Sequence, residues 1–266
     1  MDMKSGLHIL TNWFNDYVNG FTSDDPDVKA NIFLKKNHTF RVRDTILDIC
    51  NNTGLNKEDK YIAEACALLH DIGRFEQCKK YGTFSDAKSE NHAAIGVRII
   101  RKNNILKNFP SSARKIIIRS VGCHNMFSIP QNHNKDWIMF LKLLRDADKI
   151  DILLVMTEYY QNSVSGTNKV LELHLPDIDV ISDAVCDPIV NRKIALLKNL
   201  KSLNDFKIYQ MGWVYDLNFN RSLQIVKERK YLEIIRNALP KHSSNADKIY
   251  DITRTYLENK INAPLL

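Results

Sequence analysis

The residues of this 266-residue chain that are best suited to chemistry are histidines and aspartates in an ordered series. They are His38, the adjacent pair His70 and Asp71, then His92, His124 and Asp148. Imidazole and carboxylate ligands together suit Mn, Fe, Co, Ni or Zn better than Ca, and carboxylates leave Mg possible. If the fold brings these side chains together, they predict a site for one or two divalent ions.

Helical spacing suggests how these side chains are aimed. Asp148 shares a helix face with Leu141, Leu144, Ile152 and Val155, which places a carboxylate on an apolar stripe. A buried carboxylate costs several kcal/mol, on the order of 3–5, unless it is paired or coordinated. Each residue alone also has a structural interpretation, because a helical histidine is more often a core or surface residue and an aspartate can pair with a buried arginine.

Apolar residues recur at helical spacing almost throughout, and no alternating strand pattern is found. The predicted fold class is therefore all-α. We expect Asp25-Pro26 and Asn56 to begin helices and Gly73 to end one. The predicted boundaries are a loop at 74–88, helices from Ser89, at 111–124 and at 136–160, an irregular stretch at 163–185, and helices at 189–200, 204–214, 219–238 and 245–261.

Composition limits the class of protein. Hydrophobic residues make up 44% and charged residues 26% of the chain, as in a globular protein rather than a disordered one. The five cysteines form no CxxC pair, so we expect reduced structural thiols. The first residues do not resemble a signal peptide, and no apolar run reaches the roughly 20 residues of a membrane span. These features predict a cytoplasmic protein without a membrane partner.

The formal net charge of +7 favours phosphate-bearing partners. Lysines and arginines are not interleaved with aromatic residues, so nucleic acid is a less favoured partner than a small phosphorylated molecule.

The ordered series and its surroundings resemble the HD superfamily of metal-dependent phosphohydrolases. The matching segments are HTFRV at 38–42, ALLHDIGRFEQ at 67–77, HAAIGVRII at 92–100 and RDADKID at 145–151. A subgroup of bacterial HD proteins also resembles the chain at Thr83, Phe84, Asp86 and Ser89 and at MGWVYDLNFNRSL, residues 211–223. The resemblance implies an HD-like helical bundle, which we expect over 1–162. Because the helices after it are amphipathic, we expect residues 163–266 to pack on the bundle as part of the same domain.

The resemblance also implies a ligand set. His38, His70, Asp71 and Asp148 would hold the first ion, and His92 and His124 would hold a second ion or contact substrate phosphate. In the cyclic-dinucleotide phosphodiesterase subgroup, a His-His pair replaces Cys123-His124 and a glutamate replaces Asn125, and a GYP motif is present that this chain lacks. Cleavage of cyclic dinucleotides is therefore not expected.

The implied reaction assigns further roles. Asp71 would orient the attacking water, and Arg74 would stabilise the transition state as a second catalytic residue, with Lys88 and Arg41 as weaker candidates. Arg74, Asp146, Lys88 and Thr83 are predicted to bind substrate, and Phe84 and Asp86 to line the mouth of the pocket. Asp151 would brace its helix.

The favoured function is hydrolysis of a phosphate ester in a small phosphorylated substrate, a nucleotide above all. The alternatives are an HD-type nuclease, a non-catalytic nucleotide-sensing HD module, and an iron-dependent oxygenase on the same fold.

Overall fold

The protein is described by a computed structural model that covers residues 2–22, 24–131, 135–162, 168–169 and 171–263. Within these residues the chain forms α-helices and short 3-10 helices and no strand. The prediction of an all-α fold is confirmed. No helix of this covered part is long and apolar enough to cross a membrane.

The helices fall into two compact units, Met1–Asp148 and Lys149–Leu266. The division lies within the long helix Lys135–Gln161, whereas the predicted division after residue 162 stays a prediction. The helices are α1 (Met3–Asn19), α2 (Pro26–Asn51), α3 (Lys57–Leu69), α4 (Ile72–Tyr81), α5 (His92–Lys102), α6 (Ser111–Cys123), α7 (Lys135–Gln161), α8 (Asp183–Val190), α9 (Leu203–Met211), α10 (Asn220–Glu228), α11 (Tyr231–Asn237) and α12 (Ser244–Asn262).

Short polar side chains begin several of these helices. Asn56 accepts a hydrogen bond from the backbone N–H of Asp59 at 2.9 Å, which satisfies one of the unpaired donors at the start of α3. α2 begins at Pro26 after Asp25, as predicted. The predicted start of α5 at Ser89 is wrong, because Asn91 is the residue that caps this helix.

α4 corrects two predictions, since residues 74–81 are helical and Gly73 lies inside the helix instead of ending one. The sequence of α4 is short and rich in charged residues, but Ile72 and Phe75 pack into a core cluster that also contains Phe14. This packing stabilises a helix whose local signal is weak. Gly82 ends α4 with φ +62°, a conformation that suits glycine.

Two predicted helices of the second unit have different bounds. The prediction of a helix at 189–200 is wrong, because α8 ends at Val190 and Arg192 has φ +57°. The helix expected at 219–238 is divided into α10 and α11 by Lys230, which has φ +54°. Of the stretch expected to be irregular, residues 163–167 and 170 lie outside the described residues.

A close approach of α4 to α5 positions the residues that precede each of them. A Cβ atom on Gly73 would overlap the backbone carbonyl oxygen of His92 and lie 2.7 Å from the backbone nitrogen of Gly96. Only glycine permits this separation. The contact therefore fixes Asp71, at the start of α4, close to His92, at the start of α5.

Candidate metal centre

The six residues of the ordered series lie together in the first unit. His38 is in α2 and Asp148 is in α7, while His70 and Asp71 occupy the junction between α3 and α4. His92 is the first residue of α5, and His124 directly follows α6. Four helices and one helix junction therefore supply the side chains to a single buried cluster, which we call the His/Asp centre.

One half of the centre is built around His38 and His70, whose Nε2 atoms lie 3.2 Å apart. The Oδ1 atom of Asp148 lies 3.2 Å from His38 Nε2 and 3.9 Å from His70 Nε2. Both histidines are buried, and the side chain of Asp148 is 23% exposed. The carboxylate of Asp148 thus borders the histidine pair from its more open side.

The other half contains His92 and His124, whose Nε2 atoms are 3.0 Å apart. Asp71 joins the two halves because its Oδ1 atom lies 3.3 Å from His92 Nε2 and its Oδ2 atom lies 3.6 Å from His38 Nε2. Each oxygen of one buried carboxylate therefore faces a different histidine pair. His38, His70 and Asp71 form one group that could hold an ion, and Asp71, His92 and His124 form another.

Hydrogen bonds donated by Nδ1 fix the orientation of three imidazoles. The Nδ1 atom of His70 lies 2.7 Å from the carbonyl oxygen of Ala67, and that of His124 lies 2.7 Å from the carbonyl oxygen of Val121. The Nδ1 atom of His92 lies 2.7 Å from Oδ2 of Asp86. Since these oxygens only accept, each Nδ1 carries the proton and each Nε2 presents a lone pair to the centre.

Burial keeps these imidazoles neutral. It lowers the pKa of His92 and that of His124 to about 4, and it also lowers the pKa of His70. For Asp71, burial alone would raise the pKa, but the charges of Lys35 and Arg74 hold it well below its usual value. Asp148 behaves in the same way, its pKa being lowered by the hydrogen bond to His38 against the effect of burial.

This donor set fits a cation. Two neutral imidazoles with lone pairs 3.0 Å apart repel each other unless a positive charge lies between them. Ligand bonds of about 2.1 Å give neighbouring donors a separation of about 3.0 Å at right angles and about 3.4 Å in a tetrahedron, close to the separations found here. His70 and His124 also follow the C-terminal ends of helices, where the helix dipole favours positive charge.

Arg74 and Lys35 place positive charge against the centre. Arg74, predicted from sequence, places its Nε atom 3.5 Å from Oδ1 of Asp71. Lys35, which sequence reasoning missed, places Nζ 2.7 Å from Oδ2 of Asp71. The sequence could have indicated Lys35, because this residue precedes His38 by three positions on one helix and so lies on the same helix face.

Another missed residue is Arg145, which opens the RDADKID segment. Its side chain is buried and donates to the carbonyl oxygen of His124 at 3.0 Å, and also to that of Met126. Arg145 therefore holds the end of α6 against α7.

The remaining predicted substrate residues lie at different depths. Thr83 is half-buried, with its hydroxyl accepting from the backbone N–H of Ser85, and Lys88 is exposed on the 3-10 helix Asp86–Lys88. Asp146 is fully buried, so in this structure it offers no surface on which a substrate could bind. Arg41 is half-buried on α2.

Comparisons with known proteins agree with this geometry. Residues 36–156 match the family model of the HD domain, and this range contains all six residues of the His/Asp centre. No curated protein and no solved structure matches the chain. HD domains are typically metal-dependent phosphohydrolases, and the buried cluster of histidines and aspartates could hold metal. The chain therefore contains an HD domain, at residues 36–156.

Proposed function

We propose that the protein is a metal-dependent phosphohydrolase that cleaves the phosphate ester of a small phosphorylated molecule, with a nucleotide as the substrate class. The observation that carries the proposal is the position of Asp71. One of its carboxylate oxygens faces the pair His38 and His70, and the other faces the pair His92 and His124. Paired sites that share a carboxylate suit in-line displacement at phosphorus, where attacking and leaving oxygens both need stabilisation.

We assign to the first ion the ligands that the resemblance implies, and we add Asp71 to the two histidines implied for the second. His38, His70, Asp71 and Asp148 would hold one ion, and Asp71, His92 and His124 would hold a second. A divalent ion bound there would supply two effects: a lowered pKa of bound water, to about 7, and polarisation of a phosphoryl oxygen. The donor set favours Mn, Fe, Co, Ni or Zn.

The side chains around the centre would orient the attacking water and stabilise the transition state. Asp71 accepts a hydrogen bond from the attacking water and so orients it. Arg74 and Lys35 place positive charge beside the carboxylate, where negative charge grows on the phosphoryl oxygens in the transition state. Arg74 is held in place by Gln77 and Asp86, at 2.9 and 3.1 Å from its Nη1 atom, so little reorganisation accompanies the reaction.

Substrate contacts outside the centre are assigned to the segment after α4. Thr83 and the exposed Lys88 lie on this segment and would contact the rest of the phosphorylated molecule. Asp146 is left out of the proposed substrate site because it is fully buried.

The test begins with elemental analysis of the purified protein. Chelator-treated protein is then screened for phosphate release from nucleotides with added Mn, Mg, Co, Ni or Zn. We expect bound metal and metal-dependent release in the unaltered protein. His70→Ala should abolish both, whereas the matched variant His8→Ala, an exposed histidine of α1, should retain both.

The screen also separates the alternatives. Cleavage of single-stranded or double-stranded nucleic acid in preference to nucleotides would replace the proposal with a nuclease. Oxygen consumption with bound iron would replace it with an oxygenase. Metal or nucleotide binding without cleavage of any phosphorylated compound would leave a sensing module.

A further inference from the structure

We propose that Asp86 is a positioning residue, which keeps the proton of His92 on Nδ1 and so keeps Nε2 free to bind an ion. This inference rests on the proposed function for its purpose, but its central test needs neither metal nor substrate. It also gives a shared role to two segments that resemble the bacterial subgroup, HDIGRFEQ and the segment with Thr83, Phe84, Asp86 and Ser89.

His92 needs an acceptor from outside its helix because of where it lies. His70 and His124 each follow a helix, so a carbonyl oxygen of the preceding turn, three residues earlier, accepts from Nδ1. His92 is instead the first residue of α5. It has no preceding turn of its own helix and therefore no carbonyl in the equivalent place.

Asp86 supplies this acceptor. Its Oδ2 and Oδ1 atoms lie 2.7 and 2.9 Å from Nδ1 of His92. The backbone N–H of His92 donates to the same carboxylate at 3.2 Å. A single side chain therefore fixes both the backbone and the ring of His92.

Other donors keep Asp86 ionised and oriented. Arg74 and Gln77 donate to Oδ1 at 3.1 and 2.9 Å, and Asn125 donates to Oδ2 at 3.1 Å. Together with His92 they occupy the roughly four acceptor positions of a carboxylate. An ionised carboxylate only accepts, so the shared proton must belong to Nδ1 of His92.

Gln77 joins the two segments into one assembly. Its side chain is fully buried, and Nε2 lies 2.8–2.9 Å from Asp86 Oδ1, Ser89 Oγ and the carbonyl oxygen of Glu90. Its Oε1 atom accepts from Arg74 at 2.9 Å. The amide orientation is therefore set by acceptors on one side and a permanent donor on the other. Through Gln77, the end of α4 holds the segment that carries Asp86.

The first experiment reads the tautomer of His92 directly. Long-range 15N–1H spectra of the metal-free protein at pH 7 should show His70, His92 and His124 with the proton on Nδ1. In Asp86→Ala, His92 should gain the Nε2–H form while the other two histidines are unchanged. Asp86→Asn, which preserves shape, should move the His92 signals in the same direction, and Asp86→Glu should restore them in part.

The second experiment is a calorimetric titration with Mn²⁺. Removal of an outer-shell partner typically weakens metal binding by about 10–100-fold. We expect this loss for the half of the centre with His92 and His124, and unchanged binding at the half with His38. The control Asp44→Asn alters a carboxylate of α2 that is 65% exposed, and it should change neither the spectra nor the titration.

The outcomes distinguish this inference from the proposed function. If His92 keeps its Nδ1 proton in both Asp86→Ala and Asp86→Asn, the positioning role is refuted whatever the enzyme activity. If the tautomer changes but no phosphorylated compound is cleaved by the unaltered protein, the proposed function fails and the role of Asp86 stands.

Discussion

The ammonium group of Lys35 lies 2.7 Å from the Oδ2 atom of Asp71, on the oxygen that faces His38 and His70. The side chain of Lys35 is 18% exposed, so the ammonium borders both the buried centre and solvent. An ion that binds this oxygen would compete with the ammonium. Under the proposed function, Lys35 would then turn toward a substrate phosphate, since part of its side chain is already exposed.

We therefore predict that Lys35→Met separates metal binding from turnover. Elemental analysis should give the same metal content as the unaltered protein, because Lys35 is not a ligand. The value of kcat/KM for phosphate release should fall about 10–100-fold, since a cation beside the transition state is worth a few kcal/mol, roughly 1–3.

Lys36→Met is the matched control for this prediction. Lys36 is adjacent on α2, but its Nζ atom donates to Asn19 at an exposed site. Its replacement should leave kcat/KM within about twofold. Equal losses in the two lysine variants would show that general positive charge, and not the contact with Asp71, is responsible.

Lys35 also shows where sequence reasoning stops. The position of Asp148 on the apolar face of α7 and the ordered series of histidines could be predicted, because helical periodicity and residue type are local properties of the sequence. The pairing of Lys35 with Asp71 joins residues that lie far apart in the chain, and only the packing of α2 against the junction of α3 and α4 creates it. The role of Asp86 was missed in the same way, since the partners on its carboxylate come from three separate segments.

A second prediction concerns the two aspartates of α7. Asp148→Asn should lower the metal content of the half with His38 and His70, because its Oδ1 atom lies 3.2 Å from His38 Nε2. Asp146→Asn should keep its metal, since Asp146 is fully buried and is assigned no ligand role. Elemental analysis after dialysis, with thermal unfolding as a check of folding, measures both; loss of metal only in Asp146→Asn would show that the ligand was wrongly chosen.

A third prediction concerns the close approach of α4 and α5. Gly73→Ala places a methyl group against the His92 carbonyl oxygen and the Gly96 nitrogen, so the helices must separate. We expect a loss of about 1–3 kcal/mol in the free energy of unfolding and weaker metal binding, because Asp71 and His92 move apart. Urea unfolding and Mn²⁺ titration measure the two effects.

Gly20→Ala provides the comparison for that prediction. Gly20 follows α1 with φ −71°, and a Cβ atom there meets mainly carbonyl oxygens of its own turn at 3.3 Å or more. Its replacement should leave metal binding unchanged. Unaltered metal binding in Gly73→Ala as well would mean that the centre tolerates separation of α4 from α5.

The same helix illustrates why its prediction failed. The segment after Asp71 contains a glycine and several charged residues, which locally favour a loop. Ile72 and Phe75 overcome this preference by packing into the cluster with Phe14, and that partner lies on α1, which no local pattern links to α4.

The last prediction is the pH dependence of stability in the metal-free protein. Burial lowers the pKa of His92 and of His124 to about 4, whereas an unfolded histidine has a pKa of about 6.5. Between these values the unfolded state binds protons that the folded state excludes. Stability is therefore full above about pH 6.5 and falls as the pH decreases toward 4.

Urea unfolding of chelator-treated protein at pH 7 and pH 5 measures this fall. The double variant His92→Gln, His124→Gln lacks both groups, so the decrease in its free energy of unfolding over the same interval should be smaller. Bound metal should make the dependence steeper in the unaltered protein, because protons and the ion compete for the same Nε2 lone pairs. An identical decrease in the metal-free unaltered protein and the double variant would mean that other groups carry the acid sensitivity, since only these two imidazoles differ between the proteins.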